Sequence, residues 1–404
     1  MIQRLLYTER ILSVKEPSIK ILTGMKRSGK TTILALVRDE LAARGIARGN
    51  IIVMSFEGLE NVEITDWSEL YSAISARVSG VSGRVYVFLD EPQRIAGWER
   101  AALHLTHDFS LDLYVSGSSA AILSPTVTAI LEDKYVVFPI APLSFSEFLE
   151  FRESYTQPDD TARELARYVM MGGFPALHLR ATSQEEVYTH VRDIMSAAIW
   201  GDVVGSHQLR RADQLTRIIR FILENVGKTF SAKRLSDSLK DENKEINLET
   251  VYTYLDRLEK AFIISRCRRY DLQAEEQLKT QEKFYLADPA LSFAMLGFRS
   301  EAVGKAIENV VYLELMRRGY DVFIGKYGRR EIDFTAIRGD ERIYIQLGRE
   351  VHPDRNELDA FRTLSALRDN YPKFILTTDQ NAAGNRSGIR TVGISDFLLG
   401  QYGT

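Results

Sequence analysis

Over its first half the chain alternates two hydrophobic patterns. Short apolar runs at 19–23, 50–56, 84–89 and 111–118 close on glycine, serine or acidic residues, and between them lie stretches such as Thr32-Ile33-Leu34-Ala35-Leu36-Val37 with helical character. Apolar runs of this length, bounded by turn residues, predict buried parallel strands. Their alternation with helices predicts an α/β fold in which the C-terminal ends of the strands gather one site. The second half reads differently. Residues 215–223 are amphipathic at helical period, Ser231 is placed to cap a helix over 232–239, and Asn247 to cap another over 248–258. The apolar Ala261-Phe262-Ile263-Ile264 then follows. One longer helix, two shorter ones and a strand fit a winged helix-turn-helix. In that arrangement Val251, Leu255 and Leu258 face the core, while Glu249, Thr250, Thr253 and Arg257 face outward, toward a major groove if DNA is bound. Further apolar strands at 320–324 and 374–378 supply another core.

Composition narrows the function classes. At 404 residues, 45% hydrophobic and 26% charged, the chain has the makeup of an ordinary globular protein with room for about two to four domains. No window of about 18 apolar residues exists, and residues 1–10 lack a signal-peptide pattern, so no membrane segment is expected. Cys267 is the single cysteine; it excludes an intrachain disulfide and fits a reducing cytoplasm, the expected location. The six histidines are scattered without ligand spacing, which argues against zinc. A net charge of −3 does not advertise nucleic acid, but 209–270 holds 14 Lys and Arg against 9 Asp and Glu, a local surplus of five. Arg266, Arg268 and Arg269 cluster where a wing would touch phosphates, so DNA contact is favoured over a packing role for this segment.

The sharpest chemistry lies between the first strand and the first long helix. Gly24-Met25-Lys26-Arg27-Ser28-Gly29-Lys30-Thr31 is a complete G-x-x-x-x-G-K-[ST] phosphate loop, continued by Thr32. A strand feeding a tight glycine turn and then a helix aims backbone N–H groups and the positive helix end at a polyphosphate. The run Val85-Tyr86-Val87-Phe88-Leu89 ends in Asp90-Glu91, two acids at the expected distance from the loop. Asp90 would hold Mg²⁺ through water with Thr31 as the direct hydroxyl ligand, Lys30 would contact the β- and γ-phosphates, and Glu91 would orient or deprotonate the attacking water. Ser118 and Ser119 would sense the γ-phosphate or the lytic water; the alternative is a plain strand-to-helix turn with a serine cap.

Together these motifs resemble a group of prokaryotic AAA-type ATPases with a long C-terminal extension. The resemblance is carried by the phosphate loop, Phe88-Leu89-Asp90-Glu91-Pro92-Gln93 with Trp98, Ser116-Gly117-Ser118-Ser119, Pro142-Leu143-Ser144-Phe145-Ser146-Glu147-Phe148, Tyr168, Gly172-Gly173-Phe174-Pro175 and Asp202. It implies an AAA-like P-loop parallel sheet over 1–150, ATP as the nucleotide, a helical lid over 151–205, and assembly into homo-oligomers. The glycine pair of Gly172-Gly173-Phe174-Pro175 is expected to serve as a lid hinge. One departure stands out: relatives show Leu-x-Gly-Arg before the Pro-Leu-Ser-Phe strand, where this chain has Leu131-Glu132-Asp133-Lys134. Lys134 keeps the charge without the planar fork that grips a phosphate bidentately. Arg94 and Arg100 are the other candidates for an activating finger, and the choice stays open.

After a winged helix over 206–271, residues 272–404 resemble a PD-(D/E)xK nuclease core, with Glu308-Asn309, Asp333 in Gly328-Arg329-Arg330-Glu331-Ile332-Asp333-Phe334, and Gln346 in Ile343-Tyr344-Ile345-Gln346-Leu347-Gly348. Glu308 and Asp333 match that pattern. Gln346 replaces a metal-binding carboxylate and Gly348 replaces the lysine, which implies a degenerate site without nuclease activity. The resulting expectation is an ATPase that binds ATP and Mg²⁺ and acts on duplex or branched DNA. Its rivals are a nucleotide switch that binds a protein partner and, more remotely, an ATP-gated nuclease.

Overall fold

The computed structural model describes residues 2, 4–118, 120–200, 212–229, 232–238, 248–348, 357–379 and 382–401. Ser119, Asp202, Ser231 and Asn247 lie outside the described residues. Two units are distinguished, residues 1–140 with 260–262 and residues 141–259 with 263–404.

The first unit runs α1 (Leu5–Ser13), β1 (Ile19–Thr23), α2 (Lys30–Ala43), β2 (Ile51–Ser55), α3 (Trp67–Val78), β3 (Val85–Asp90), α4 (Trp98–Asp108), β4 (Leu111–Gly117), α5 (Pro125–Leu131) and β5 (Tyr135–Pro139). Its strands form one all-parallel sheet in the order β2-β3-β4-β1-β5. The inner strands β1 and β4 are buried at every position, as their mainly apolar runs predict, with the charged Lys20 and Asp112 paired at 2.6 Å, whereas β2 at the edge alternates and leaves Val53 half exposed. Alternate side chains feed separate cores on the two faces. Ile21, Val87, Leu89 and Leu113 meet α3 and α4 through Leu70, Ile74, Ala102 and Leu105. Leu22, Phe88 and Tyr114 meet α1 and α2 through Tyr7, Ile33, Leu34 and Val37. This three-layer α/β arrangement brings the ends of β1, β3 and β4 side by side, in register from Thr23 to Gly117 and from Asp90 to Ser116.

The second unit begins with α6 (Phe145–Glu153), α7 (Thr161–Met171) and α8 (Gln184–Ala198), continues through α9 (Ala212–Glu224), α10 (Ala232–Ser238) and α11 (Leu248–Lys260), and enters a hairpin, β6 (Ile264–Asp271) and β7 (Glu276–Leu286). It then adds α12 (Ala290–Leu296), α13 (Glu301–Arg317), β8 (Asp321–Tyr327), β9 (Arg330–Arg338), β10 (Glu341–Leu347), α14 (Glu357–Ser365), β11 (Lys373–Thr377), β12 (Gly384–Arg386), β13 (Ile389–Gly393) and α15 (Ile394–Leu398). Eight strands make a mixed sheet in the order β12-β13-β11-β10-β9-β8-β6-β7. Position 271 therefore falls at the end of β6, and that strand pairs antiparallel with β7 on one side and parallel with β8 on the other. Val251, Leu255 and Leu258 of α11 are buried, with Ile218 and Ile222 of α9 and Leu235 of α10.

Two sequence expectations change here. The Pro-Leu-Ser-Phe segment opens a helix rather than a strand: Ser144 Oγ accepts the Glu147 N–H at 3.1 Å while Glu147 Oε2 accepts the Ser144 N–H at 2.8 Å, a reciprocal cap that starts α6. The Gly172-Gly173 pair is a packed joint rather than a loose hinge. Gly173 N–H donates to the buried Asp288 carboxylate at 2.6 Å, and a Cβ on Gly172, whose φ is +72°, would stand 1.8 Å from Asp288 Oδ1. We expect Gly172→Ala to cost about 3 kcal/mol, since strain and a backbone-to-carboxylate collision combine. Urea denaturation measures this, and a loss below about 0.5 kcal/mol, the level of a neutral surface change, would contradict the packing.

Candidate functional site

The loop from Gly24 to Gly29 leaves the end of β1 and turns directly into α2. Gly24 has φ +145°, and a Cβ there would lie 2.2 Å from the Ile140 carbonyl oxygen, so no larger residue fits the turn. Gly29, at φ +98°, is the left-handed N-cap of α2 and Arg27 is also left-handed at φ +68°. Met25 and Ser28 are buried, Lys26 and Gly29 half-buried, and Arg27, Thr31 and Thr32 exposed. The Lys30 ammonium donates to the carbonyls of Gly24 at 2.9 Å and Met25 at 3.1 Å, closing the loop on itself. Sequence reasoning missed one support. The buried Arg4, just ahead of α1, donates through Nη1 to the Ser28 carbonyl at 3.0 Å and lies over the Tyr7 ring at 4.6 Å. A single arginine 24 positions upstream carries no local signal of that role.

The parallel register delivers the remaining groups. Thr31 Oγ1 donates to the Asp90 carboxylate at 3.1–3.2 Å, and Ser116 Oγ donates to Asp90 Oδ1 from the adjacent strand. Glu91 follows with left-handed φ 58° and ψ 42°, its N–H donating to the Ser116 carbonyl at 2.8 Å. An L-residue here costs of order 1 kcal/mol, and this turn separates the two carboxylates instead of letting both continue along β3. Ser118 Oγ donates to Glu91 Oε2 at 3.0 Å, and Gln93 Nε2 donates to the same oxygen. Phosphate loop, Thr31, Asp90, Glu91 and Ser118 thus form one connected cluster within the first unit.

The donor set suits Mg²⁺. A hydroxyl and a carboxylate stand within hydrogen-bond distance at the start of α2, hard oxygens of the kind this ion takes when phosphate oxygens and water complete its octahedron. The Gly24 turn and the amides that open α2 suit a polyphosphate.

The groups expected on DNA sit in the second unit. Thr253 is exposed on α11 and donates through Oγ1 to the Glu249 carbonyl at 2.8 Å; Thr250 and Arg257 are half-buried. Arg266 is committed internally, at 2.7 Å from Glu259 and 3.3 Å from Glu282, and covers the Phe284 ring. Arg269 donates to Gln281, whereas Arg268 is exposed. The three arginines are therefore unequal, because successive residues of β6 cannot all face one way.

Glu308, Asp333 and Gln346, the residues expected of a degenerate nuclease site, are all buried. Glu308 on α13 is 1% exposed, and its Oε1 accepts the Tyr285 hydroxyl at 2.6 Å and the Lys283 ammonium at 3.2 Å. Lys283 also lies 3.3 Å from Glu331 Oε1. Burial pulls the Lys283 pKa down, but Glu308, Asp333 and Glu331 more than offset it and hold the ammonium charged above the ordinary lysine range. Asp333 Oδ2 accepts the Leu347 N–H at 2.8 Å, and the Gln346 side chain accepts the Asp333 N–H at 3.2 Å, so glutamine serves the end of the β9–β10 ladder. A Cβ on Gly227 would come within 2.9 Å of Glu308 Oε2, so the backbone there packs against that carboxylate. Lys283 was invisible to sequence reasoning because it comes from β7, outside the strand pair that defines the motif. Among the described residues no group of three or more His, Cys, Asp or Glu is placed to hold a metal, and no helix is long and apolar enough to cross a membrane.

Comparison with known proteins adds the following. Residues 16–149 match the family described as AAA domain, and residues 162–302 match a domain of unknown function. An uncharacterised protein of Haemophilus influenzae is 30% identical over 400 residues, covering 99% of both chains. An uncharacterised protein of Methanocaldococcus jannaschii is 26% identical over 366 residues, covering 87% of this chain and 79% of its own. Among solved structures, a Walker-type ATPase of Pyrococcus abyssi is similar over 73% of this chain and 96% of its own, at 16% identity and a TM-score of 0.49.

Proposed function

We propose, from the premise that this chain belongs to the same family as its full-length Haemophilus influenzae relative and carries an AAA domain, that it is an Mg²⁺-dependent ATPase coupling nucleotide state to DNA binding. One observation carries the ATPase reading: Thr31, Asp90, Glu91 and Ser118 converge at the mouth of the phosphate loop with a hydroxyl on each carboxylate. Asp90 and Thr31 would hold Mg²⁺. Lys30 would move from its loop carbonyls to the β- and γ-phosphates, and Glu91, positioned by Ser118 and Gln93, would take a proton from the attacking water.

The DNA reading is supported by α9, α10, α11 and the β6–β7 hairpin, which follow the order of a winged helix-turn-helix, and by the positive balance of 209–270. In that reading α11 presents Thr250, Thr253 and Arg257, and the hairpin presents Arg268 and Arg269. We read 272–404 as a nuclease-like fold without nuclease activity, since Gln346 and Gly348 stand where that pattern carries a carboxylate and a lysine, and the buried Glu308 pairs with Lys283 at 3.2 Å. ATP hydrolysis measured with single-stranded, duplex and branched DNA tests the coupling. At least one form is expected to stimulate turnover, and Mg²⁺ with plasmid is expected to give no cleavage. Equal turnover with every DNA would remove the DNA role, and cleavage lost on Asp333→Ala would remove the inactive-nuclease reading.

A second reading is a nucleotide switch that hydrolyses slowly and binds a protein partner. It is favoured by Glu132-Asp133-Lys134, which supplies no arginine where the resemblance to AAA-type ATPases leads one to expect it. Assembly into a homo-oligomer would bring a neighbour's cation, Arg94 or Arg100 among the candidates, to the phosphate.

A further inference from the structure

Arg299 and Lys305 line one cavity of the second unit, and the charge of Lys228, distant from both in sequence, acts on Lys305. Lys228 lies in the turn that follows α9, Arg299 just before α13, and Lys305 in the second turn of α13. Lys228, exposed at the surface, and Arg299 each add a like charge beside Lys305. Like charges this close repel unless something negative lies between them. Among the described residues Glu224 pairs with Arg220 at 3.0 Å and offers Lys305 its backbone carbonyl at 3.0 Å, and Glu301 lines the cavity beside Arg299 and Lys305. Burial, then Lys228 and Arg299, push the Lys305 ammonium down to about 8. Arg299 Nε is buried without a hydrogen-bond partner among the described residues.

The surroundings suit an oxyanion. Arg299 and Lys305 stand at the N-terminal end of α13, a 17-residue helix whose N-cap, Ser300, makes no side-chain capping bond. Arg299 and Lys305 line a cavity of about 30 Å³ with Glu301 and Ala302. That space holds a water or one oxygen of a larger group, not a whole buried ligand. A phosphodiester fits it, with one oxygen seated and the chain continuing outside.

We propose that Lys228, Arg299 and Lys305 form a binding site for a phosphate group, supplied by the backbone of a nucleic acid. This rests on the DNA reading above and adds a contact away from the helix and hairpin to which that reading assigns the DNA. The test uses the full chain and the double variant Lys228→Gln with Arg299→Gln, which leaves the partly buried Lys305 in place. Arg48→Gln with Arg77→Gln, both exposed in the first unit, is the charge-matched control. At about 0.1 M salt the double variant should bind a labelled duplex about tenfold more weakly, with the slope of log affinity against log salt shallower by about 1. The control should match the parent, and ATP hydrolysis without DNA should be the same in all three. Titration with inorganic phosphate separates the sources: a rise in melting temperature in the parent, absent from the double variant, would assign the site to free phosphate. If the parent binds no DNA, the DNA reading falls, and this site stands only on that phosphate-dependent rise. Parental DNA affinity and salt slope in the double variant, with no phosphate response that distinguishes it, would overturn the proposal.

Discussion

Lys30→Ala should weaken ATP binding by at least about a hundredfold while leaving the fold intact. In the structure the ammonium spends its protons on the carbonyls of Gly24 and Met25, so the loop is already shaped around a cation at its centre. Triphosphate oxygens would offer the same protons a charged acceptor, and charge-assisted bonds contribute roughly 1.5–3 kcal/mol each. Losing two of them accounts for a factor of about a hundred or more. The fold should survive because α2 is anchored by Ile33, Leu34 and Val37, all buried against the sheet. Calorimetric titration with ATP and Mg²⁺ measures the loss. Unchanged affinity would remove the phosphate-loop assignment, and everything built on it.

The second large effect separates binding from chemistry. Glu91→Gln should lower turnover by about a hundred- to ten-thousandfold, the range for loss of a positioned base. ATP affinity should stay near that of the parent. Glutamine keeps the length, tolerates the same left-handed backbone no worse than glutamate, and can still accept from Ser118 and Gln93. What it cannot do is accept a proton from water. Phosphate release at saturating ATP gives the turnover, and titration gives the affinity. Turnover within about threefold of the parent would move the base to another residue, small beside the loss a positioned base implies.

Much of the first unit was legible because its signals are local. The runs at 19–23 and 111–118 are mostly apolar because β1 and β4 are buried on both faces, their charged members Lys20 and Asp112 pair with each other at 2.6 Å, and the loop motif sits where strand meets helix. Asp90 and Glu91 could be read for the same reason: two acids closing an apolar run mark a strand end. What could not be read depends on distance or on ambiguity. Arg4 and Lys283 act across gaps in sequence that no periodicity records. Gly172 and Gly173 looked like a hinge because glycine serves a flexible turn and a crowded one equally well, and only the Asp288 carboxylate beside them decides between the two. The direction of Arg266 was hidden similarly, since a cluster of arginines in a row says nothing of which one Glu259 and Glu282 will claim.

The hairpin has a mechanical consequence. β6 is stitched to β7 on one side and to β8 on the other, so the proposed recognition arm has no pivot of its own. A tilt imposed at its tip would travel rung by rung through β9, β10, β11 and β13 to β12. The arm and the broad sheet behind it should then swing like a handle fixed to a plate, and whatever grips one of them steers both.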